Sequence, residues 1–423
     1  MYHKNADKAT GTSYSFPEHV TPSGMCSICT KCGRCEIGLR AKEGLSPFPK
    51  PFGVAQFGAE KKTPDINDLN IVPELFGDGV FFGDVSIETT IGSFRVRAPV
   101  SIAAMGSTKV ASVHGEALSE GAARAGIPIV IGENVLVTYG EEGLRKRIEP
   151  FLKNYDGYGA VLVQGNEQEQ KMGVFERGVK MGAHGIEIKV SQGAKPGLGG
   201  EVEFRGEHLA KKYQKYGYRV LEIGEDENGK IYQRHALPGS LFEEEFGEKL
   251  KKYSELGVPI WIKVAAGSGL LRFLEFLNEM KRDGVPIECV TVDGMGGGTG
   301  MSPWVIMNEI GLHSSNILPA LSDLDFDVLV AGGYNTGVDI AKAMMLGADG
   351  VAIGRAFLVA ANVSENGIVN YVKSLKGDLQ MVCATQRVKS VKDLKGRRER
   401  LYPLTKEAAE VFGLSQDPRK VLR

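Results

Sequence analysis

The chain has 423 residues, 42% of them apolar, and its 51 Lys plus Arg against 52 Asp plus Glu leave a formal net charge of −1. So even a balance offers no global attraction to nucleic acid or to an acidic membrane surface, and no apolar run reaches the ~18 residues of a membrane span. The amino terminus, Met1-Tyr2-His3-Lys4-Asn5, is polar and lacks the apolar stretch of a secretory signal, so the sequence reads as cytosolic.

Residues 1–25 are polar and read as irregular, and then Cys26, Cys29, Cys32 and Cys35 follow, four of the six cysteines in the chain. Such crowding in a reducing compartment points to metal or cluster ligation instead of disulfides. Residues 45–75 are rich in Pro and polar residues and show no period. Over 79–98 the pattern V-F-F-G-D-V-S-I-E-T-T-I-G-S-F-R-V-R-A-P alternates, with Gly92 at a turn, and predicts a β-hairpin covering the closed end of a barrel.

From there the chain beats regularly. Short apolar runs at 99–105, 127–133, 159–164, 185–190, 258–264, 287–293, 327–332 and 350–355 predict eight strands, with amphipathic stretches such as 112–125 and 337–347 between them. Near-continuous apolar strands separated by helices mark a parallel sheet, and eight in a row imply a closed (β/α)₈ TIM barrel. No G-x-G-x-x-G turn follows the first run, as an open dinucleotide-binding sheet would carry. The connection from 190 to 258 is much longer than the others, with a hairpin predicted at 218–234 and a helix at 242–256. Insertions of that size after a barrel strand sit on the active-site face and commonly form lids. The organisation expected is an extension carrying the cysteine-rich segment at 1–78, the barrel at 79–410, and a tail at 411–423.

Barrels place a phosphate between the loops after strands seven and eight, on backbone N–H groups and a helix N-terminus. Here Gly332 and Gly333 follow strand seven and Gly354-Arg355 closes strand eight. Glycine lets a phosphate reach the backbone, and Arg355 adds a charge-assisted contact; the plainer reading is a pair of tight turns. After strand six, Asp293-Gly294-Met295-Gly296-Gly297-Gly298-Thr299-Gly300 is richer in glycine than a turn requires. At roughly 0.5–1 kcal/mol per ordered glycine relative to Ala, a flat ligand lying on the backbone explains the loop better than a plain turn. Lys263 ends an apolar strand and should face the mouth, either stabilising an anionic ring or pairing with a buried carboxylate. Gln192 and Lys195, on a Gly/Pro-stiffened loop preceded by Glu187 and Lys189, suit a small carboxylate or imine. Glu133 and Asn134, after strand two, are candidates for proton transfer.

Together these loops resemble the FMN-binding synthase domain of the glutamate synthase family. The family's Q-G-A-K-P-G-x-G-G stands unbroken at 192–200, and its D-G-G-T-G-A-S-P loop is lengthened to D-G-M-G-G-G-T-G-M-S-P at 293–303. Lys263 corresponds to the Lys of V-K-L, A-G-G-Y-N-T-G at 331–337 to the phosphate loop, and Ala384, Thr385 and Gln386 to the closing A-T-Q. The likeness spans roughly 80–410. It implies FMN across the mouth, held by Lys263, Asp293, Gly294, Gly296, Gly297, Gly332, Gly333, Gly354 and Arg355. Lys263 would lie near the pyrimidine edge, and Lys195, Gln192 and Glu133 would face the substrate over N5. In the family, reduced flavin delivers hydride to 2-iminoglutarate, made from 2-oxoglutarate and ammonia.

Three departures qualify the likeness. Residue 2 is Tyr where the family's glutaminase domain opens with a nucleophilic Cys, which predicts use of free ammonia or of a separate glutaminase subunit. The three cysteines that hold a [3Fe–4S] cluster upstream of A-T-Q are missing, with Cys383 alone nearby. The loop after strand two reads I-G-E-N-V where the family has G-E-G-G. The N-terminal cysteine run supplies a substitute, since it is similar to the ferredoxin pattern for [4Fe–4S] except for its last spacing. Cys26, Cys29 and Cys32 would be ligands, with Cys35, Cys383 or Cys289 as the fourth; a zinc knuckle is the competing reading. The expectation is a glutamate-synthase-like oxidoreductase passing electrons from the cluster through FMN to an imine or α-keto acid. It implies an electron-donor protein or reductase subunit and a homo- or hetero-oligomer, with no nucleic acid or membrane partner. A different small substrate on the same fold, or an electron-transfer subunit of a larger complex, are the alternatives.

Overall fold

In the computed structural model the described residues are Ala41, Gly44, 63–191, 199–237, 239–295, 310–321 and 323–422. The four-cysteine run, Gln192, Lys195, Gly296 and Gly297 lie outside them. Eight strands form the frame: β1 (Val100–Met105), β2 (Ile129–Ile131), β3 (Val161–Gly165), β4 (Gly185–Lys189), β5 (Ile260–Ala265), β6 (Ile287–Asp293), β7 (Asp327–Ala331) and β8 (Gly350–Ile353). Each pairs in parallel with the next and β8 returns to β1, so the sheet closes into a barrel, as the alternating sequence predicts. Around it run α1 (Lys109–Ala125), α2 (Val135–Asn154), α3 (Val174–Lys180), α4 (Glu243–Ser254), α5 (Leu270–Arg282), α6 (Gly337–Met345), α7 (Arg355–Val363) and α8 (Gly367–Thr385).

The strands read as unbroken apolar runs because both faces are buried. Ile129, Val161, Ile186, Ile260, Val290 and Val328 pack under the helices in the main core. Their neighbours Val130, Leu162, Trp261, Cys289 and Leu329 fill the barrel interior with Ile91 and Val96. Those last two belong to the hairpin Thr89–Ile91/Phe94–Val96, shorter than the 79–98 expected. Its turn puts Gly92 at φ 50° and Ser93 at φ 75°, the left-handed pair that matches strand twist. The Gly92 N–H donates to Asp327 Oδ2 at 2.8 Å, and the Trp261 indole N–H points at Gly92 O, 3.4 Å away. A Cβ on Gly92 would lie 2.2 Å from Trp261 Nε1. Gly92→Ala is therefore expected to destabilise the fold by about 2–4 kcal/mol, through overpacking at a left-handed position. Thermal denaturation checks this, and an unchanged Tm would show that the hairpin does not plug the barrel.

The long connection after β4 divides in two. Helix α4 is an ordinary barrel helix, not part of a lid: Phe246 packs 5.6 Å from Phe273 of α5, ring to ring, within the main core. The insertion proper is the helix Glu207–Lys215 with a three-stranded antiparallel sheet, in which Gly229–Ala236 runs between Gly199–Arg205 and Arg219–Asp226. Its Tyr213, Tyr218 and Ala236 form a small separate core with Val137 of α2. At the far side, Leu69–Ile71 pairs antiparallel with Leu401–Pro403. No helix among the described residues is long and apolar enough to cross a membrane.

Candidate active site at the barrel mouth

Strand parity sends a set of polar side chains inward above the apolar interior. Trp261 and Cys289 point into the barrel, so Lys263, Thr291 and Asp293 follow on the same face towards the mouth. Gln164 on β3 stands across from Glu187 on β4, and Lys189 across from Lys263. Gln164 joins the layer together: its Nε2 donates to Glu187 Oε1 and its Oε1 accepts the Glu133 N–H at 3.3 Å. Thr291 Oγ1 lies 3.5 Å from Glu187 Oε2.

Two ion pairs account for four of the five charges. Lys189 bonds the Glu133 carboxylate, and Lys263 Nζ is 3.1 Å from Asp293 Oδ2. Burial alone would push Glu133 up, but the Lys189 ammonium beside it holds its carboxyl below the usual value. Burial likewise works against a charge on Lys263, and Asp293 and Glu187 outweigh it, so its ammonium is held above the ordinary lysine range. Glu187 is the odd carboxylate. Its burial pushes it up to about 7, against the opposing pull of Lys263 and Gln164. Lys263 is thus a buried ion-pair partner, the plainer of its two readings, at the mouth end of its strand. It is the cation beside Asp293, and among the described residues no other side chain or backbone N–H donates to either of the buried Asp293 carboxylate oxygens. A buried acceptor left in that state commonly marks a place where a ligand belongs.

Next to Asp293, which pairs with Ala331 across β6 and β7, Gly332 and Gly333 take φ 104° and 92°, values open to glycine and strained for other residues. Helix α6 follows with its own N-terminus closed. Thr336 and Asp339 form a capping box, and Asp378 accepts the Gly337 N–H at 3.0 Å. Helix α7, which Arg355 opens, has no side-chain cap at Gly354. The helix end available for an anion is therefore the one after β8. Among the described residues a Cβ on Gly354 would meet only Ala103 Cβ, at 3.9 Å, so it has room there. Gly294 serves a different purpose: a Cβ there would lie 2.4 Å from Ser314 N, so its bareness admits the returning chain. His313, which nothing in the sequence singles out, stands beside Gly333 with Nε2 3.4 Å from where a Cβ would sit.

Asn134, expected with Glu133 as a proton-transfer candidate, is buried and its Oδ1 already accepts hydrogen bonds from Tyr218 and Asn166. That makes it an architectural group. Cys289 lies in the barrel interior and Cys383 in α8, and burial pushes both thiols up, Cys383 to about 12. Among the described residues no group of three His, Cys, Asp or Glu is placed to hold a metal ion.

Residues 76–369 match the conserved region in glutamate synthase. The chain belongs to the glutamate synthase family. Its barrel is that family's FMN-binding oxidoreductase domain. An archaeal glutamate synthase (NADPH) from Archaeoglobus fulgidus is 25% identical over 422 residues, covering 88% of this chain and 73% of the relative. A second, from Methanocaldococcus jannaschii, is 24% identical over 65% of this chain and 58% of its own length. A glutamate synthase large subunit-like protein from Rhizobium meliloti is 27% identical over 82% and 74%. Among solved structures, flavocytochrome b2 with sulfite bound superposes with a TM-score of 0.59 at 18% identity, covering 92% of this chain and 84% of that one. A lactate oxidase from Pediococcus acidilactici gives 0.55 at 15% identity, over 80% and 84%. At those identities the likeness is one of fold.

Proposed function

We propose that the glutamate synthase-like barrel holds FMN across its mouth and reduces an imine or α-keto acid, with 2-iminoglutarate as the substrate. The carrying observation is the buried Lys263–Asp293 pair, whose carboxylate takes no further donor among the described residues, beside a glycine-lined rim with an uncapped helix end. FMN fits that arrangement. Gly332, Gly333, Gly354 and Arg355 would hold its phosphate, and Lys263 and Asp293 its ring edge, with Gly294, Gly296 and Gly297 alongside. Bound there, the flavin supplies hydride chemistry at N5.

The chain's own side chains then divide the remaining work. Lys263 offsets negative charge gathering at the mouth, where low polarity strengthens its effect. Lys195 and Gln192 would orient the substrate carboxylate, and the Glu133–Lys189 pair would hold the proton that the new amine takes up. Electrons would come from a [4Fe–4S] cluster on Cys26, Cys29, Cys32 and Cys35. Cys289 and Cys383 are both packed into the apolar core, which favours Cys35, continuing the run, as the fourth ligand. An electron-donor protein or reductase subunit, and free ammonia or a glutaminase subunit, complete the reading. A different small substrate is the second reading, favoured by the insertion that docks beside Glu133.

Two measurements test this. Purified without oxygen, the protein should show flavin bands with a broad shoulder near ~400 nm from the cluster; flavin bands alone would leave the cysteines to zinc. Gly354→Ala should fold with unchanged Tm, since its Cβ has room, yet bind FMN at least about tenfold more weakly by crowding the phosphate. Unaltered FMN affinity in that variant would move the phosphate elsewhere.

A further inference from the structure

Asn134 directly follows Glu133 and holds φ 67°, a left-handed backbone that residues with a Cβ rarely adopt. Its side chain is fully engaged: Asn134 Oδ1 accepts the Tyr218 hydroxyl at 2.7 Å and Asn166 Nδ2 at 3.1 Å. Its backbone N–H donates to Glu169 Oε2 at 2.5 Å, and Glu169 Oε1 takes the Val137 N–H at 3.1 Å, closing the start of α2.

Tyr218 comes from the insertion. The buried Arg234 guanidinium lies 4.7 Å from the Tyr213 ring centre and 5.0 Å from that of Tyr218. It also donates to Thr138 Oγ1 at 3.3 Å, while Lys212 Nζ donates to Val137 O at 3.1 Å. These contacts converge on residues 134–138, next to Glu133. The insertion is therefore fastened to the loop that carries the carboxylate, and does not hang over the mouth as a free lid.

We infer that Asn134 and Tyr218 are positioning residues through which the insertion sets the orientation of Glu133 and its pairing with Lys189. This rests on the proton-transfer role proposed for Glu133. The insertion would then tune the reaction from outside the mouth, touching neither substrate nor flavin.

The test uses the full chain with Tyr218→Phe, Asn134→Gly, and both together. Amide exchange over 133–138 and over 213–221, followed without FMN, should quicken about tenfold in either single variant and no further in the double. With FMN loaded, its dissociation constant should not change, because neither Asn134 nor Tyr218 belongs to the loops after β7 and β8 that would hold the phosphate. The kcat for imine reduction should fall about tenfold at unchanged KM. The acid limb of the kcat–pH profile should move to higher pH, since a loosened Lys189 holds the Glu133 anion less firmly. Unchanged exchange over 133–138 in Tyr218→Phe, or additive effects in the double variant, overturns the inference. Coupled exchange with an unmoved kcat and pH profile overturns the positioning role by removing the role of Glu133. Loss of turnover in Glu133→Gln alongside uncoupled exchange would spare the proposed function and sink only the inference.

Discussion

Replacing Lys263 with Met is expected to leave FMN bound, slow flavin reduction by at least about tenfold, and destabilise the apoprotein by roughly 3–5 kcal/mol. The stability loss follows from Asp293, which is buried beside Lys263 and has no other donor among the described residues to replace the lost cation. The kinetic loss follows from charge. Lys189 is already committed to Glu133, so without Lys263 the electron-rich ring would face Asp293 and Glu187 without the ammonium that pairs with them among the described residues. Photoreduction under anaerobic conditions reads the rate and denaturant unfolding reads the stability. Wild-type reduction kinetics in the variant would remove the role assigned to Lys263.

Glu187→Gln is expected to flatten the dependence of stability on pH. In the fold, burial raises Glu187 from 4.5 to about 7, and Glu169 likewise. The native state therefore keeps protons that the unfolded chain has released, and stability declines as pH rises from 4.5 through 7. Glu133 contributes with the opposite sign, because its depressed value adds stability above 4.5 that is lost in acid. Glu187 alone accounts for a decline of roughly 3 kcal/mol across that window. Urea unfolding at pH 6 and pH 8 should show a smaller difference in Glu187→Gln than in the wild type. An equal difference in both would place the titration on Glu169 or elsewhere.

The barrel was legible in the sequence because a parallel sheet buried on both faces leaves unbroken apolar runs, and eight such runs occur between regular helices. The hairpin was legible too, although its paired part proved shorter, since residues 82–84 take a 3-10 turn. Helix α4 was misjudged for a physical reason: its charged face resembles any exposed helix, and only the packing of Phe246 on α5 shows that it belongs to the ring. In the site, Lys263 and Asp293 could be read from strand ends, where polar residues interrupt apolar runs. Gln164 and Thr291 carry the same signal, in V-L-V-Q and V-T-V-D, but a neutral side chain at a strand end stands out less than a lysine. Tyr218, Glu169 and Arg234 had no such signal. Their importance comes from long-range docking onto Asn134, which no local pattern encodes.

The most direct trial of the central claim is a single anaerobic turnover. Photoreduced protein, mixed with 2-oxoglutarate and ammonium, should reoxidise its flavin and yield one glutamate per flavin. Flavin that stays reduced while no glutamate forms would contradict it.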